Sequence, residues 1–170
     1  MAQSFAFAFP GQGSQSVGIM QSFAALPVVR QAFAEASEAL RQDLWSMVET
    51  GPAETLSATV NTQPVMLTAD IAIYRLWRER GGAVPVAMAG HSLGEYAALV
   101  AAEALPLGVA AALVRERAQS MQSAVPEGQG AIAAILGLDD AGIDAACAEA
   151  AQGEIVQPAN FNAPGQVVIA

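Results

Sequence analysis

The segment Gly90-His91-Ser92-Leu93-Gly94 has the G-x-S-x-G spacing of a nucleophile elbow. In such an elbow a serine lies on a sharp turn between a strand and a helix, where only small flanking residues fit. The surrounding sequence has the required order, because an apolar run over residues 84–89 precedes the turn and an alanine-rich helix is predicted from Gly94 onward. We predict that Ser92 is a nucleophile at a helix N-terminus, where backbone N–H groups stabilise developing negative charge. The alternative is an ordinary helix-capping serine.

A serine nucleophile also needs donors for an oxyanion and a base for its proton. The N–H of Leu93 is the first candidate donor, and the loop Gly11-Gln12-Gly13, which follows the first predicted strand, is a candidate for the second. Taken alone, this loop is equally well a plain turn. The only histidine, His91, adjoins Ser92, and successive side chains at such a turn point apart. We therefore predict that His91 is a structural residue packed beneath the elbow and not the base.

The elements around this turn follow from periodicity and from the turn residues. Residues 5–9 alternate phenylalanine and alanine, which predicts a strand, and a helix is predicted over residues 26–40. A second helix is predicted to begin near residues 61–64, with Pro64 in its first turn, and to end at Gly81-Gly82. The apolar run of residues 84–89 predicts a buried parallel strand. Strand, helix, strand and helix in this order indicate an α/β fold with a parallel sheet.

The last third of the chain has a different pattern. A β-α-β-β order is predicted there, which is three quarters of a split βαβ unit, over residues 131–136, 139–151, 154–159 and 167–169. We therefore predict a large α/β subdomain over residues 1–125 and a small subdomain over residues 126–170.

Composition and charge limit the class of protein. Of the 170 residues, 54% are hydrophobic, which predicts a folded domain and not a disordered chain. The net charge of −9 and the absence of lysine disfavour a nucleic-acid partner. All seven arginines precede residue 118, so an anionic ligand is expected to bind in the first two thirds of the chain.

Compartment is predicted from cysteine usage and from the lack of export or membrane signals. The single cysteine, Cys147, is predicted to be buried and permits no internal disulfide, which fits the cytoplasm. The N-terminus lacks the pattern of a signal peptide. The alanine-rich residues 97–114 include Glu103 and Pro106, so we predict two soluble helices there and no membrane span.

Five motifs follow one another along almost the whole chain. They are Phe9-Pro-Gly-Gln-Gly-Ser-Gln15, Thr62-Gln63-Pro64, Gly90-His-Ser-Leu-Gly-Glu-Tyr96, Arg117 and Asn160-Phe-Asn-Ala-Pro-Gly-Gln166. Together they resemble the malonyl-CoA:acyl carrier protein transacylases of bacterial fatty acid synthesis. Acyltransferase domains of polyketide synthases share several of the motifs, but the third and fifth are more similar to the stand-alone enzymes. The resemblance implies an α/β-hydrolase-like large subdomain and a ferredoxin-like small one.

The resemblance also implies a role for each matching residue. Ser92 takes malonyl from coenzyme A as an ester and passes it to the phosphopantetheine thiol of acyl carrier protein. Gln12 and Leu93 supply the backbone oxyanion donors, Arg117 holds the malonyl carboxylate, and Gln63 lines the site. Malonyl-CoA is then the substrate, acyl carrier protein the partner, and no cofactor is permanently bound.

Two of these roles do not follow from the residues alone. Arg117 belongs to the charged run Arg115-Glu116-Arg117, and such runs on a helix are usually solvated faces. Gln63 is equally well an ordinary polar residue at a helix start.

The sequence departs from the family in one respect. The histidine base of the family lies in the second half of its members, and these 170 residues end before it. We therefore expect an N-terminal portion of such an enzyme, with both subdomains incomplete, little turnover of its own and the remaining C-terminal part as a possible partner.

Two alternatives remain. An α/β-hydrolase-type esterase or thioesterase has the same elbow but needs a later aspartate and histidine. A non-catalytic fragment that binds a complementary chain would pair through its terminal strand, residues 167–169.

Overall fold

The computed structural model describes residues 4–125 and 128–170, which have an α/β fold. The chain divides into two units, Met1–Ser123 and Ala124–Ala170. The predicted domain boundary falls at residue 126, which lies, with residue 127, outside the described part.

The first unit contains a parallel pair of strands. Strand β1 (Ala6–Phe9) pairs with β2 (Ala87–Gly90), and Phe9 lies opposite Gly90 at the carboxyl ends of both. The alternation predicted from the sequence sends Phe7 and Phe9 to one face of the pair, where both rings pack edge-on against Tyr74. Because the strands are parallel, the loops after Phe9 and Gly90 leave the same edge of the sheet.

Helices account for most of the first unit. Their bounds are α1 (Pro27–Leu40), α2 (Leu44–Thr50), α3 (Ala53–Ser57), α4 (Thr59–Glu79), α5 (Leu93–Ala101) and α6 (Leu107–Ala124), with a short 3-10 helix at Gln21–Phe23. The hydrophobic core includes Phe33 of α1, whose ring packs edge-on against Trp45 of α2 at 5.1 Å between centroids. Leu67 and Ile71 of α4 are also fully buried, and each such side chain contributes about 2 kcal/mol.

The first turns of α4 are held in place by hydrogen bonds. The hydroxyl of Thr62 donates to the carbonyl of Leu56 at 2.6 Å, and the side-chain amide of Asn61 donates to the carbonyl of Thr55 at 2.9 Å. Thr62 and its neighbour Gln63 are completely buried. These hydrogen bonds fix the position of the first turns of α4, and therefore of Gln63, which lies at the site described below.

The second unit is a three-stranded antiparallel sheet with one helix. Its elements are β3 (Ala133–Leu136), α7 (Asp140–Ala151), β4 (Pro158–Ala163) and β5 (Gln166–Ile169), and the strand order is β3-β5-β4. The carboxylate of Asp139 accepts a hydrogen bond from the backbone of Gly142 at 2.8 Å and so caps α7. Ile143, Cys147 and Val167 form the buried core, and the prediction for Cys147 is confirmed.

Three predicted elements differ from those observed. Helix α4 begins at Thr59, two residues before the predicted start, so Pro64 lies inside the helix. Strand β2 covers only Ala87–Gly90, and Val86 is 73% exposed, although the sequence predicted a buried strand. Strand β4 is Pro158–Ala163, whereas residues 154–159 were predicted.

In the part of the chain that the structure describes, none of the helices has the length and hydrophobicity needed to cross a bilayer.

Candidate active site

Ser92 occupies a sharp turn between the last residue of β2 and the first residue of α5. Its backbone angles are φ 55° and ψ −114°, a conformation that residues with a side chain rarely adopt. Strain of this kind persists where the surrounding structure enforces it, and it is common at functional sites. The strand-turn-helix context predicted for the G-x-S-x-G segment is thus present in the structure.

The two glycines of the segment allow three backbones to come together. A Cβ atom on Gly90 would lie 2.0 Å from the carbonyl carbon of Gly94, and one on Gly94 would lie 2.2 Å from the carbonyl oxygen of Phe9. Neither position has room for a methyl group. Close contact between β1, the turn and α5 therefore requires glycine at both positions.

The candidate oxyanion donors lie on two segments that meet at Ser92. The N–H of Leu93 is the first of α5, so it has no acceptor within the helix. A Cβ atom on Gly11 would lie 3.4 Å from the carbonyl oxygen of His91 and 4.0 Å from Cβ of Ser92, which places the loop containing Gln12 beside the elbow. The backbone of Gly13 donates to Oε1 of Gln15 at 2.8 Å and shapes that loop.

Arg117 connects Ser92 to Gln63. Its Nη2 donates to Oγ of Ser92 at 2.8 Å, and its Nη1 donates to Oε1 of Gln63 at 2.9 Å. The structure therefore brings together three predicted site residues that are far apart in the sequence: Ser92 on the turn before α5, Arg117 on α6 and Gln63 on α4. Arg117 faces this cluster and is only partly exposed, in contrast to the solvated helix face that a charged run usually forms.

Met121 is a fourth member of this cluster, and the sequence analysis missed it. Nε2 of Gln63 lies 3.4 Å from Sδ of Met121, which follows Arg117 by one turn of α6. The only sequence signal was this four-residue spacing, which puts two side chains on one face of a helix.

Arg115 points to different partners. Its Nη2 donates to Oε1 of Gln42, and Nε2 of Gln42 donates to Oδ1 of Asn61 at 3.2 Å. Burial lowers the pKa of the Arg115 guanidinium. Arg117 thus bonds directly to Gln63 of α4 and to the serine, whereas Arg115 is linked to Asn61 of α4 only through Gln42.

Asp70 is a partly buried acid on α4 that the sequence analysis did not single out. Burial raises the pKa of its carboxyl group to about 7. Its Oδ2 atom is buried and has no hydrogen-bond partner in the described residues. Asp70 follows Gln63 by seven residues, so the two lie on the same face of the helix.

His91 is exposed, and the prediction that it packs beneath the elbow is wrong. Among residues 4–125 and 128–170, its imidazole forms no hydrogen bond with Ser92; the one side-chain donor to the serine oxygen is Arg117. The same residues contain no group of three or more His, Cys, Asp or Glu side chains placed to bind a metal ion.

Comparisons with known proteins agree with the motifs. A family model described as an acyl transferase domain matches residues 6–170. The malonyl CoA-acyl carrier protein transacylase of Escherichia coli K12 is 59% identical over 98% of this chain and 54% of its own length. The protein of the same name from Bacillus subtilis 168 is 46% identical over 96% of this chain and 52% of its own length.

Solved structures give the same result. An acyl-carrier-protein S-malonyltransferase from Burkholderia pseudomallei 1710b has a TM-score of 0.93 and 59% identity, over 98% of this chain and 54% of that one. A malonyl-transacylase in complex with a type II PKS acyl-carrier protein has a TM-score of 0.93 and 56% identity, over 98% and 54%. The chain spans about half the length of the relatives it matches.

Proposed function

This chain belongs to the acyl transferase domain family, and from that premise we propose that it carries the nucleophile and the carboxylate-binding arginine of a malonyl-CoA:acyl carrier protein transacylase. The observation that carries the proposal is the position of Arg117, 2.8 Å from Oγ of Ser92 and bonded to the buried Gln63. A guanidinium next to the nucleophile favours acyl groups that bear a carboxylate close to the acyl carbon, and malonyl is such a group.

In the first half-reaction, Oγ of Ser92 attacks the thioester carbonyl of malonyl-CoA. The N–H groups of Leu93 and Gln12 stabilise the negative charge on the carbonyl oxygen, the carbon–sulfur bond breaks, and coenzyme A leaves as its thiol. The malonyl carboxylate takes the place of Ser92 as the partner of Nη2 of Arg117, while Gln63 keeps its bond to Nη1. In the second half-reaction, the phosphopantetheine thiol of acyl carrier protein attacks the ester, and the serine hydroxyl is restored.

A base must take the proton of the Ser92 hydroxyl in the first step and that of the phosphopantetheine thiol in the second, and it returns each proton to the group that leaves. Within the 170 residues the only imidazole is that of His91, which is exposed and forms no described bond with Ser92. We assign the base to a histidine in polypeptide that corresponds to the other half of the relatives, as the family resemblance implies. These residues alone are then expected to acylate slowly, and rapid labelling of Ser92 by malonyl-CoA would contradict this assignment.

Selectivity for malonyl over acetyl tests the role of Arg117. We expect Arg117→Ala to lower the malonyl-to-acetyl ratio of Ser92 acylation at least about tenfold, because a charge-assisted pair is lost. The ratio is measured by intact mass spectrometry after incubation with equal amounts of malonyl-CoA and acetyl-CoA. Ser92→Ala should abolish both mass increases.

Arg115→Ala is the matched control for Arg117→Ala. It removes the same charge from the same helix, but its guanidinium bonds with Gln42 and not with the serine. It should therefore leave the ratio within about twofold of the original, which is the scatter expected for a distant charge. Equal malonyl-to-acetyl ratios in the two variants would contradict the proposal that Arg117 binds the malonyl carboxylate.

A transferase and a hydrolase differ in the molecule that accepts the malonyl group from Ser92. The proposed enzyme should turn over faster when the phosphopantetheine thiol of acyl carrier protein is added, whereas a thioesterase would release free malonate with water alone. A solution mass measured on the pure chain tests the third alternative, a fragment that associates with a complementary chain.

We also propose that the two units are parts of the family's two subdomains, an α/β-hydrolase-like one and a ferredoxin-like one divided near residues 125 and 126, and that the protein acts in the cytoplasm. In the chain, α7 lies between β3 and β4, and in the sheet β5 lies between the same two strands. This arrangement supports the ferredoxin-like assignment, because it fits the first three strands of a split βαβ unit.

A further inference from the structure

The side-chain amide of Gln63 is held at both ends by residues of α6. Its Oε1 accepts from Nη1 of Arg117 at 2.9 Å, and its Nε2 donates to Sδ of Met121 at 3.4 Å. Arg117 and Met121 are one helical turn apart, so a single face of α6 contacts the whole amide.

The chemistry of the three groups fixes the direction of the amide. A guanidinium has only N–H donors, so Arg117 can bind only the oxygen end of Gln63. The nitrogen end then needs an acceptor on its other side. Gln63 is completely buried, so bulk water does not reach it, and the acceptor in the structure is the thioether of Met121. A thioether is a weak acceptor, but a buried N–H without any partner costs more than a weak bond returns.

We infer that Met121 is a positioning residue that keeps the oxygen of Gln63 on Arg117 and thereby keeps the guanidinium at Ser92. This inference rests on the proposed function in so far as Arg117 selects the malonyl group. Met121 acts through Gln63, and its own side chain is 48% exposed, so replacing it leaves the buried core intact.

Two substitutions of Met121 distinguish the effect of its sulfur as a hydrogen-bond acceptor from the effect of its side-chain volume. Met121→Leu keeps the volume and the helix propensity but removes the sulfur, so the amide of Gln63 loses its acceptor and turns from Arg117. We expect the malonyl-to-acetyl ratio of Ser92 acylation to fall about three- to tenfold. Met121→Gln supplies a carbonyl oxygen in place of the sulfur and should restore the ratio to within about twofold.

A second readout does not depend on catalysis. In amide NMR spectra, the side-chain NH₂ signal of Gln63, identified by its loss in Gln63→Glu, should exchange slowly with solvent in the original chain. Exchange should accelerate at least about threefold in Met121→Leu and return toward the original rate in Met121→Gln. Met47→Leu, which changes a buried methionine of α2, is the control and should alter neither readout.

The outcomes distinguish the inference from the proposed function. Unchanged exchange in Met121→Leu would overturn the inference, and so would faster exchange with an unchanged malonyl preference. If the original chain shows no preference for malonyl, the proposed function fails, and the NMR signal alone decides whether Met121 orients Gln63.

Discussion

Asp70 has a partly buried carboxyl group and lies on the face of α4 that also carries Gln63 and Tyr74. Its pKa is raised from 3.8 to about 7 because burial removes water from the charged form. Since the folded state holds this proton more tightly than the unfolded chain, the stabilisation is complete below pH 3.8 and is lost as the pH rises through about 7. Above that pH the fold carries a buried, unpaired charge.

Asp70→Asn should therefore stabilise the fold more at pH 8 than at pH 5. Asparagine keeps the shape of the side chain but cannot ionise, so the gain at pH 8 is expected to exceed that at pH 5 by on the order of 2 kcal/mol. Urea unfolding followed by circular dichroism at both pH values measures the difference.

Asp144→Asn is the matched control, because Asp144 is an exposed acid on α7. Its effect on the free energy of unfolding should be small and similar at both pH values. If the effect of Asp70→Asn on the free energy of unfolding is equally small at both pH values, ionisation of the Asp70 carboxyl does not destabilise the fold as proposed.

At the scale of single residues, the sequence was sufficient to predict the sharp turn at Ser92 but not the residues that contact it. The turn could be predicted because glycine spacing and a strand-to-helix order are local features. The approach of Arg117 to Ser92 depends on how α6 packs, which a charged run in the sequence does not encode, and only the family resemblance indicated it. Met121 and Asp70 had no local signal, since burial and hydrogen bonding of one side chain depend on the whole fold.

At the scale of elements, the contact between β1 and α5 depends on Gly94. Gly94→Ala would place a methyl group 2.2 Å from the carbonyl oxygen of Phe9. The strand or the helix must then move, and we expect a loss of about 2–4 kcal/mol in the free energy of unfolding together with loss of Ser92 acylation. Thermal unfolding and labelling with malonyl-CoA measure the two effects.

Gly108→Ala tests whether this loss is specific to the elbow. Gly108 lies in α6, where a Cβ atom would meet Cβ of Ala39 at 3.2 Å, a contact that a small shift relieves. Alanine favours a helix over glycine by about 1 kcal/mol, so the net change should be small. Similar destabilisation by both substitutions would refute the steric argument for Gly94.

Element bounds were predictable where local signals define them. Helix α1 ends at Leu40, as predicted, and the next residue, Arg41, has a left-handed φ of 52° that stops the helix. Strand β4 was misplaced because residues 154–159, with the β-branched pair Ile155 and Val156, satisfy a strand pattern as well as the observed Pro158–Ala163 does. The prediction that the strand at residues 84–89 is buried was wrong, because the exposure of a strand depends on which other elements cover the sheet. In the described residues β2 pairs with β1 alone.

At the scale of the whole molecule, the two units differ in how much core each contains. The first unit buries side chains from α1 through α6, whereas the described residues of the second unit bury Ile143, Cys147 and Val167 alone as a central cluster. Domains of fewer than about 60 residues bury a smaller share of their surface than larger domains do and are marginal without further support. The second unit, Ala124–Ala170, is below that size.

We therefore expect the units to behave differently as separate polypeptides. Residues 1–123 should unfold in one cooperative thermal transition, because their core is continuous and includes Phe33, Leu67 and Val114. Residues 124–170 should show weak helical circular dichroism and no cooperative transition, since about three buried side chains do not offset the conformational entropy of so many residues. The complete chain, melted under the same conditions, is the reference for both. A cooperative transition in residues 124–170 alone would mean that the hairpin of β4 and β5 and the capped helix α7 stabilise the unit more than its core suggests. In that case local structure, and not burial, would be the main source of its stability.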